Sequence, residues 1–394
     1  PSAAAAPPAA AAPHFASAFG LTGDAPGADS LAVRCCPLAG SATGRPPADS
    51  WLEVVIPFAT VPGLREAHEM PDGAGLRVGR LFEAFDALSA DSSIRHVQGG
   101  FLPDRAEQVR VMTVAHDGLA IARLEVTKDL RLRTYVTAVF GSSMEVRTDV
   151  TQIAADGTED DVGGVFTVVV AHQPAPAAKG PPTYVSAKLP PLWTQEDEGA
   201  KQRQENGQMR QEQRKTQAAN SLKRLAPTAE EVPILHAICS QGPGGTKLNK
   251  NQVTMSSTAI SSSEFIHVTD ANLLGRQFGG YRMRNAVDLA FVCAARFSRE
   301  AQPSFAGFDD VFFCKPVNAG EFWTFTARVV FASSDTVHVH VCASIEDMEN
   351  GSSEATSEYF FMYRRPAGTK GREVVPQSYE ETMLWLEGRR RSLR

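Results

Sequence analysis

The spacing of hydrophobic residues predicts two similar stretches, each a long helix followed by several strands. In the first stretch, residues 75–90 place Val78, Leu81, Phe82 and Phe85 at helical intervals. The strand-like runs after it are 109–113, 119–126, 130–139, 143–152 and 165–171, separated by glycine or aspartate turns. In the second stretch, residues 279–296 repeat the helical period, followed by strand-like runs at 311–313, 321–331, 336–346 and 355–363. A helix followed by antiparallel strands is typical of an α+β fold in which a sheet wraps around one helix.

The remaining segments are polar or low in complexity. Residues 1–49 are dominated by Ala, Pro, Gly and Ser, a composition that cannot bury enough apolar surface to order itself. Residues 194–220 carry mostly charged and amide side chains, which predicts a solvated helix or linker or, alternatively, an arm that docks on a partner. A helix over 379–389 ends in the basic tail 389–391, which is either solvated or in contact with RNA, phosphate or a partner. The predicted domains are an arm (1–49), an N-terminal domain (50–172), a linker (173–232), a C-terminal domain (233–368) and a C-terminal helix with its tail (369–394).

Composition narrows the function classes. The 394 residues are enough for two domains, 43% are hydrophobic, and the net charge of −6 argues against non-specific nucleic-acid binding. The cysteines at 35, 36, 239, 293, 314 and 342 show no metal-binding spacing and are interpreted as reduced thiols. No apolar run is long enough to span a membrane. Strict alternation over 337–341 predicts a half-buried strand, and His338 and His340 share one of its faces without a Cys or carboxylate grouped beside them, so we expect no metal site there.

One stretch is suited to chemistry on a carbonyl group. It contains Asn272, Gly275, Phe278, Gly279, Gly280 and Met283, with the glycine pair at the start of the second helix. Glycines at a helix N-terminus let a ligand approach free N–H groups and the positive end of the helix dipole, which suits an oxygen that gains negative charge. The pattern Asn-x-x-Gly-x-x-Phe-Gly-Gly-x-x-Met resembles the central-helix motif of hot-dog-fold acyl-CoA thioesterases.

Further stretches resemble one branch of that family, the mitochondrial acyl-CoA thioesterases with two hot-dog domains in one polypeptide. They run in the family's order from about residue 50 to the C-terminus, at 50–54, 64–66, 78–86, 142–146, 225–231, 309–317 and 378–388. The resemblance implies a tandem double hot-dog fold, acyl-CoA substrates and a location in the mitochondrial matrix. It also implies no serine nucleophile, no cofactor beyond the coenzyme A of the substrate, and self-association of the double domains. The sequence contains no Gly-x-Ser-x-Gly motif, so it does not indicate a serine hydrolase instead.

The two halves keep different parts of the family's site. In the second half Asn272 lies seven residues before Gly279, but the position seven after Gly280 is Val287. In the first half Gly79 matches the second glycine of the pair and Asp86 lies seven residues after it. The first half has Pro71 where the asparagine is expected. The next residue after Val287, Asp288, falls away from the apolar face of its helix and is predicted to be solvated or paired.

This split predicts one composite site between the two domains rather than two equal sites. The resemblance gives Asp86 the role of general base or of direct attack on the thioester, and Asn272 would orient the water or the thioester. The Gly279 and Gly280 amides would polarise the carbonyl. Two plainer interpretations stay open: Asp86 as a structural helix carboxylate, and Asn272 as a left-handed turn residue.

A non-enzymatic function is the alternative. The same fold could serve as a structural subunit of a large mitochondrial assembly such as a respiratory complex, ATP synthase or mitoribosome. Three features favour it: the low-complexity arm, the charged segment at 194–220 and the basic tail, each suited to docking. The presence of both Asp86 and Asn272 favours the enzyme.

Overall fold

A computed structural model describes residues 32–35, 44–71, 75–99, 109–120, 124–175, 184–195, 197–239, 248–270, 275–300, 302–365 and 371–393. The contacts divide the chain into two compact units. The first consists of residues 1–210 and 272–284, and the second of residues 211–271 and 285–394. The segment 272–284 therefore groups with the first unit, and the domain boundaries given above stay predictions.

The first unit contains a long helix and an antiparallel sheet. Its helices are α1 (Pro47–Ser50), α2 (Pro62–His68), α3 (Val78–Gln98) and the beginning of α4 (Glu198–Ala219). Its strands are β1 (Ala32–Cys35), β2 (Leu52–Ile56), β3 (Arg110–His116), β4 (Leu119–Ala120), β5 (Asp129–Phe140), β6 (Ser143–Ile153), β7 (Glu159–Pro174) and β8 (Tyr184–Ser186). Six of these strands follow one another in the order β1-β2-β5-β6-β7-β3, and β8 also pairs with β7.

Helix α3 lies on this sheet and is its central element. It contacts β3, β5, β6 and β7, and its buried side includes Leu81, Phe82 and Phe85. It ends at Gly99, whose φ of 85° is the left-handed conformation that terminates helices. The helix runs eight residues past the predicted end at 90, because polar residues there are buried too: Ser92 donates to the Ser50 carbonyl (2.7 Å) and Ser93 to the Ser89 carbonyl (2.7 Å).

Part of the predicted arm belongs to this fold. Asp49 and Ser50 are buried, and the Ser50 hydroxyl accepts a hydrogen bond from the Val136 N–H of β5 (3.0 Å). Arg45 pairs with Asp49 (3.5 Å) and forms a β-bridge with Leu192. The expectation that residues 1–49 cannot order themselves is therefore wrong for 32–35, which pair with β2, and for 44–49, whose polar groups bond to the first unit.

The charged helix α4 also packs on the sheet of the first unit. A Cβ on Gly207 would lie 2.4 Å from the Ala138 Cβ, so the helix backbone is in close contact with β5. Gln204 bonds to both the N–H (2.9 Å) and the carbonyl (3.1 Å) of Val139. Arg210 forms a two-bond ion pair with the buried Glu145 (2.6 and 3.1 Å). The prediction of a solvated helix is wrong for this part, because its contact face is made of glycine and polar side chains rather than aliphatic ones.

The second unit repeats the combination of antiparallel sheet and long helix. Its helices are α5 (Val232–Cys239), α6 (Gly279–Ser298), which begins in the first unit, and α7 (Tyr379–Ser392). Its strands are β9 (Gln252–Thr254), β10 (Ile260–Phe265), β11 (Ser304–Phe308), β12 (Val311–Phe313), β13 (Phe322–Ala332), β14 (Thr336–Asp347), β15 (Ser352–Arg364) and β16 (Glu373–Val375). The sheet order is β12-β15-β14-β13-β10, with β11 also on β15, while β9 and β16 form a separate parallel pair.

Helix α6 lies on the second sheet through its later turns. The Tyr363 hydroxyl donates to the Val287 carbonyl (3.2 Å), and the Phe291 and Tyr363 rings meet at 6.4 Å. The Cys293 thiol donates to the Thr258 carbonyl (3.4 Å). Both units thus combine a long helix with an antiparallel sheet, and the predicted α+β tandem double hot-dog fold is confirmed.

Helix α7 covers the other face of the second sheet. The Trp385 ring meets Phe331 at 5.3 Å, and the Arg391 guanidinium lies 3.9 Å from the centre of the Phe360 ring. Both His338 and His340 are therefore buried (1% and 4% exposed), so the prediction of a half-buried strand over 337–341 is wrong. Burial lowers the pKa of both imidazoles, that of His338 to about 4.

The basic tail is part of helix α7 and is paired. Arg390 forms a two-bond ion pair with Glu231 (both 2.7 Å). Arg391 pairs with Asp309 (2.5 Å) and with Glu387 (2.8 Å). The prediction of a solvated or partner-binding tail is thus wrong for these two residues. No helix within the described ranges is long and apolar enough to cross a membrane.

Candidate active site

Two helix starts in the first unit approach each other through glycines. A Cβ on Gly280, in the first turn of α6, would lie 2.6 Å from the Glu83 Cα and 2.8 Å from the Phe82 carbonyl oxygen of α3. A Cβ on Gly79, in the first turn of α3, would lie 2.6 Å from the Arg284 Cγ and 3.3 Å from its Cα. At Gly280 contacts this short to backbone atoms leave room only for glycine, whereas at Gly79 the Arg284 side chain would have to shift, so the matched glycines set how closely the helices cross.

The crossing brings Asp86 to the N-terminus of α6. A Cβ on Gly279 would lie 3.0 Å from the Asp86 Oδ1 and 3.3 Å from the Thr113 Cβ. The Thr113 hydroxyl donates a hydrogen bond of 2.6 Å to the same Oδ1. Asp86 is 6% exposed. A buried carboxylate is therefore held by one hydroxyl from β3 directly beside the first residue of a helix.

The start of α6 supplies the complementary charge. The first N–H groups of a helix have no partner within it, and the helix dipole makes that end positive. Such an end stabilises negative charge on a nearby oxygen. Asp86 and this helix start together offer a base and an anion-stabilising group on either side of one small region.

His116 is the titratable neighbour of Asp86. It lies on β3, three residues after Thr113, is buried, and its Nδ1 is 3.1 Å from the Thr167 hydroxyl. Burial lowers the pKa of His116 to about 4, although the negative charge of Asp86 opposes the shift. The ring is therefore neutral at physiological pH and does not cancel the charge of Asp86.

Glu83, one helical turn before Asp86, is in a different situation. Its carboxylate lies 2.7 Å from the Arg284 guanidinium and 3.0 Å from that of Arg80. Burial raises the pKa of Glu83, and the two arginines oppose that shift. Glu83 is consequently an ion-pair partner at the helix crossing rather than a second base.

The structure brings three of the four predicted site residues together: Asp86, Gly279 and Gly280. Asn272 lies outside the described residues. Asp288 is exposed, in agreement with its prediction as a solvated or paired carboxylate. Thr113 and His116 were not predicted as site residues, because a threonine and a histidine in a strand belong to no motif. The pairing of β3 with β7 also shifts register between Thr113 and Ala115, and nothing in the sequence indicates this shift.

Known proteins that resemble this chain are named as acyl-CoA thioesterases or hydrolases. No family model matches the chain. Human acyl-coenzyme A thioesterase 9, mitochondrial, is 27% identical over 365 residues, which cover 90% of this chain and 80% of the human protein. Mouse acyl-coenzyme A thioesterase 10, mitochondrial, is 25% identical, covering 87% of this chain and 77% of its own. Among solved structures, an acyl-CoA hydrolase from Staphylococcus aureus in complex with butyryl coenzyme A superposes with a TM-score of 0.34 at 23% identity, covering 36% of this chain and 89% of that one.

The chain is thus similar over most of its length to proteins named as mitochondrial acyl-coenzyme A thioesterases, which are thioester hydrolases. The resemblance to mitochondrial acyl-CoA thioesterases that the motifs predicted is confirmed.

Proposed function

We propose that this protein hydrolyses acyl-CoA thioesters to a free acid and coenzyme A at a single composite site. The first half of the chain contributes Asp86, and the second half contributes Asn272, Gly279 and Gly280. The observation that carries the proposal is the Asp86 carboxylate, bonded to the Thr113 hydroxyl and lying beside Gly279 at a helix N-terminus. Thioester hydrolysis needs a base for water and a donor for the developing oxyanion, and these groups supply both.

The reaction follows from this arrangement. The Asp86 carboxylate takes a proton from a water molecule whose oxygen adds to the thioester carbonyl carbon. The carbonyl oxygen gains a negative charge that the Gly279 and Gly280 N–H groups stabilise. The C–S bond then breaks, the carbonyl re-forms, and the sulfur leaves as a thiolate that takes up the proton. Asn272 orients the water or the thioester.

Direct attack is the second form of the same proposal. Here an Asp86 oxygen adds to the carbonyl carbon, the thiolate leaves, and water hydrolyses the resulting anhydride. Thr113 serves either form by fixing the carboxylate through Oδ1, which leaves Oδ2 to act. Neither form uses a cofactor beyond the coenzyme A of the substrate.

The setting of the reaction is part of the proposal. The relatives are named as mitochondrial, which supports a mitochondrial location, and we infer the matrix because the substrate is an acyl-CoA. Self-association of the double domains is inferred from the family resemblance.

The alternative, a structural subunit of a large mitochondrial assembly, retains less support than the sequence suggested. Gly207 and Gln204 of the charged segment contact β5, and Arg390 and Arg391 of the tail are paired within the second unit. Those side chains are therefore engaged inside the protein instead of being available to a partner. The parts of the arm outside 32–35 and 44–49 and the exposed end of the charged segment remain as arguments for docking.

The test is release of free thiol from short, medium and long acyl-CoAs. We expect Asp86→Asn to lower kcat by at least about a hundredfold, since general-base catalysis contributes a factor of about 10² to 10⁴, and Asn272→Ala to lower kcat as well, because the water or thioester is no longer oriented. Asp288→Asn is the matched control, because it removes an exposed carboxylate from α6 and is expected to keep full activity. Unchanged turnover in Asp86→Asn would refute the role of Asp86, and a folded wild type that hydrolyses no acyl-CoA would refute the proposed activity.

A further inference from the structure

Gln277 is a buried amide that the protein itself does not satisfy. The side chain is 5% exposed, and neither Oε1 nor Nε2 has a hydrogen-bond partner in the described part of the chain. Native proteins seldom bury such a group, because its lost hydration is not replaced. The buried amide of Gln277 lies two residues before Gly279 and costs the free protein stability. We therefore look for its hydrogen-bond partner in the bound substrate.

The first half of the chain shows that packing does not require an amide at this position. Gln277 lies three residues before Gly280, and Leu76 lies three residues before the matched Gly79. Leu76 is equally buried, at 6% exposure. An apolar side chain therefore suits this position in the half that lacks the loop motif, and the amide appears only in the half that has it.

The chemistry of the missing partner follows from the two orphaned atoms. Nε2 donates and Oε1 accepts, so the side chain can bind a group that offers one acceptor and one donor together. A trans secondary amide has both, but its N–H and its carbonyl point in opposite directions, so two neighbouring amides are needed to satisfy Nε2 and Oε1 together. A thioester carbonyl can only accept and would leave Oε1 unsatisfied.

We propose that Gln277 binds the two amides of the pantetheine arm of the acyl-CoA, one through Nε2 and one through Oε1, and thereby positions the thioester on Gly279 and Gly280. Two methylene groups separate the thioester sulfur from the first pantetheine amide. Two residues of extended chain span at most about 7 Å, which is the range available between Gln277 and Gly279. This inference rests on the proposed function, and Gln277 is a positioning residue in it, because it touches the substrate away from the reacting atoms.

The test compares Gln277→Met with the wild type on three thioesters of the same acyl group. Coenzyme A carries both pantetheine amides, N-acetylcysteamine carries the amide nearer to sulfur, and 2-mercaptoethanol carries none. A neutral hydrogen bond contributes about 1 kcal/mol, so KM should rise about fivefold for the N-acetylcysteamine thioester, which loses one bond, and about thirtyfold for the coenzyme A thioester, which loses two. We expect kcat/KM for the mercaptoethanol thioester to be the same in both proteins.

Thermal stability gives a readout that hydrolysis does not influence. Gln277→Met removes an unsatisfied amide and is expected to raise the melting temperature of the free protein while reducing the further rise on adding coenzyme A. Gln204→Met is the matched control: its amide is satisfied by Val139, so we expect a lower melting temperature and an unchanged KM.

Each outcome separates the inference from the proposed function. A loss that persists on the mercaptoethanol thioester would place Gln277 at the carbonyl and overturn the inference. No loss on any thioester would mean that the amide is satisfied by buried water, and would overturn it equally. If the wild type hydrolyses no thioester but its stabilisation by coenzyme A depends on Gln277, the proposed activity fails while the binding role of Gln277 stands.

Discussion

Asp91 is expected to destabilise the folded protein increasingly as the pH rises. It lies on α3, is 3% exposed, and its Oδ1 has no hydrogen-bond partner among the described residues. Burial raises the pKa of Asp91 from 3.8 to about 8, although the charge of Arg95 opposes the shift. Between these two values the folded carboxyl keeps a proton that the unfolded carboxyl has released. The free energy of unfolding therefore falls as the pH rises through this window.

The size of the effect follows from the two pKa values. Each unit of pKa corresponds to about 1.4 kcal/mol, so at pH 7 ionisation of the unfolded chain costs the folded state about 4 kcal/mol. Asp91→Asn cannot ionise and removes this term. Its free energy of unfolding relative to the wild type should therefore increase by about 1.4 kcal/mol for each pH unit between 5 and 7. Any cost of the new amide is independent of pH and shifts the line without changing its slope.

Urea unfolding of both proteins at pH 5, 6, 7 and 8 measures this slope. Glu145→Gln is the contrasting variant, because the buried Glu145 forms an ion pair with Arg210 and the substitution leaves that cation without its carboxylate. We expect that variant to be less stable than the wild type at pH 7. A difference between Asp91→Asn and the wild type that stays flat from pH 5 to pH 7 would refute the reasoning about Asp91.

Two further predictions concern α4 and His116. Gly207→Ala should lower the free energy of unfolding by about 1–3 kcal/mol, because its Cβ would overlap that of Ala138. Gly199→Ala in the same helix meets only flexible side chains, so its free energy of unfolding should be unchanged or higher. Denaturant midpoints measure both variants, and equal effects would contradict the close packing of α4. The ring of His116, with a pKa of about 4, should show no NMR titration between pH 8 and pH 5. Its contribution to the free energy of unfolding should be lost as the pH falls from 6.5 towards 4, because the unfolded imidazole takes up a proton first. A ring titration near 6.5 would contradict its burial beside Asp86.

The sequence predicted the elements whose apolar residues have a regular period. The strands over 130–139, 143–152 and 336–346 agree with β5, β6 and β14 to within two residues. The same reasoning predicted the end of α3 eight residues too early and predicted that α4 is solvated. In both places the buried face is polar, and Ser92, Gln204 and Arg210 are satisfied by partners that are distant in sequence. Hydrophobic periodicity cannot report a contact made of hydrogen bonds.

The candidate site shows the same limit. The glycine motif and the seven-residue spacing of Asp86 could be recognised along the chain, because they repeat a family pattern. Thr113, His116 and Gln277 could not, since each becomes notable only through a bond made or a bond missing in three dimensions.

Fusing two copies of one domain permits a feature that two separate copies could not have. Glu83 and Arg284 each lie four residues after a matched glycine, and they form an ion pair of 2.7 Å. In an assembly of identical copies, each of these positions would face its own duplicate, so Glu would meet Glu or Arg would meet Arg. A gene duplication lets the twin positions take opposite charges, after which like copies repel and unlike copies attract. The ion pair is therefore one that only a chain with different residues at its two matched positions can form.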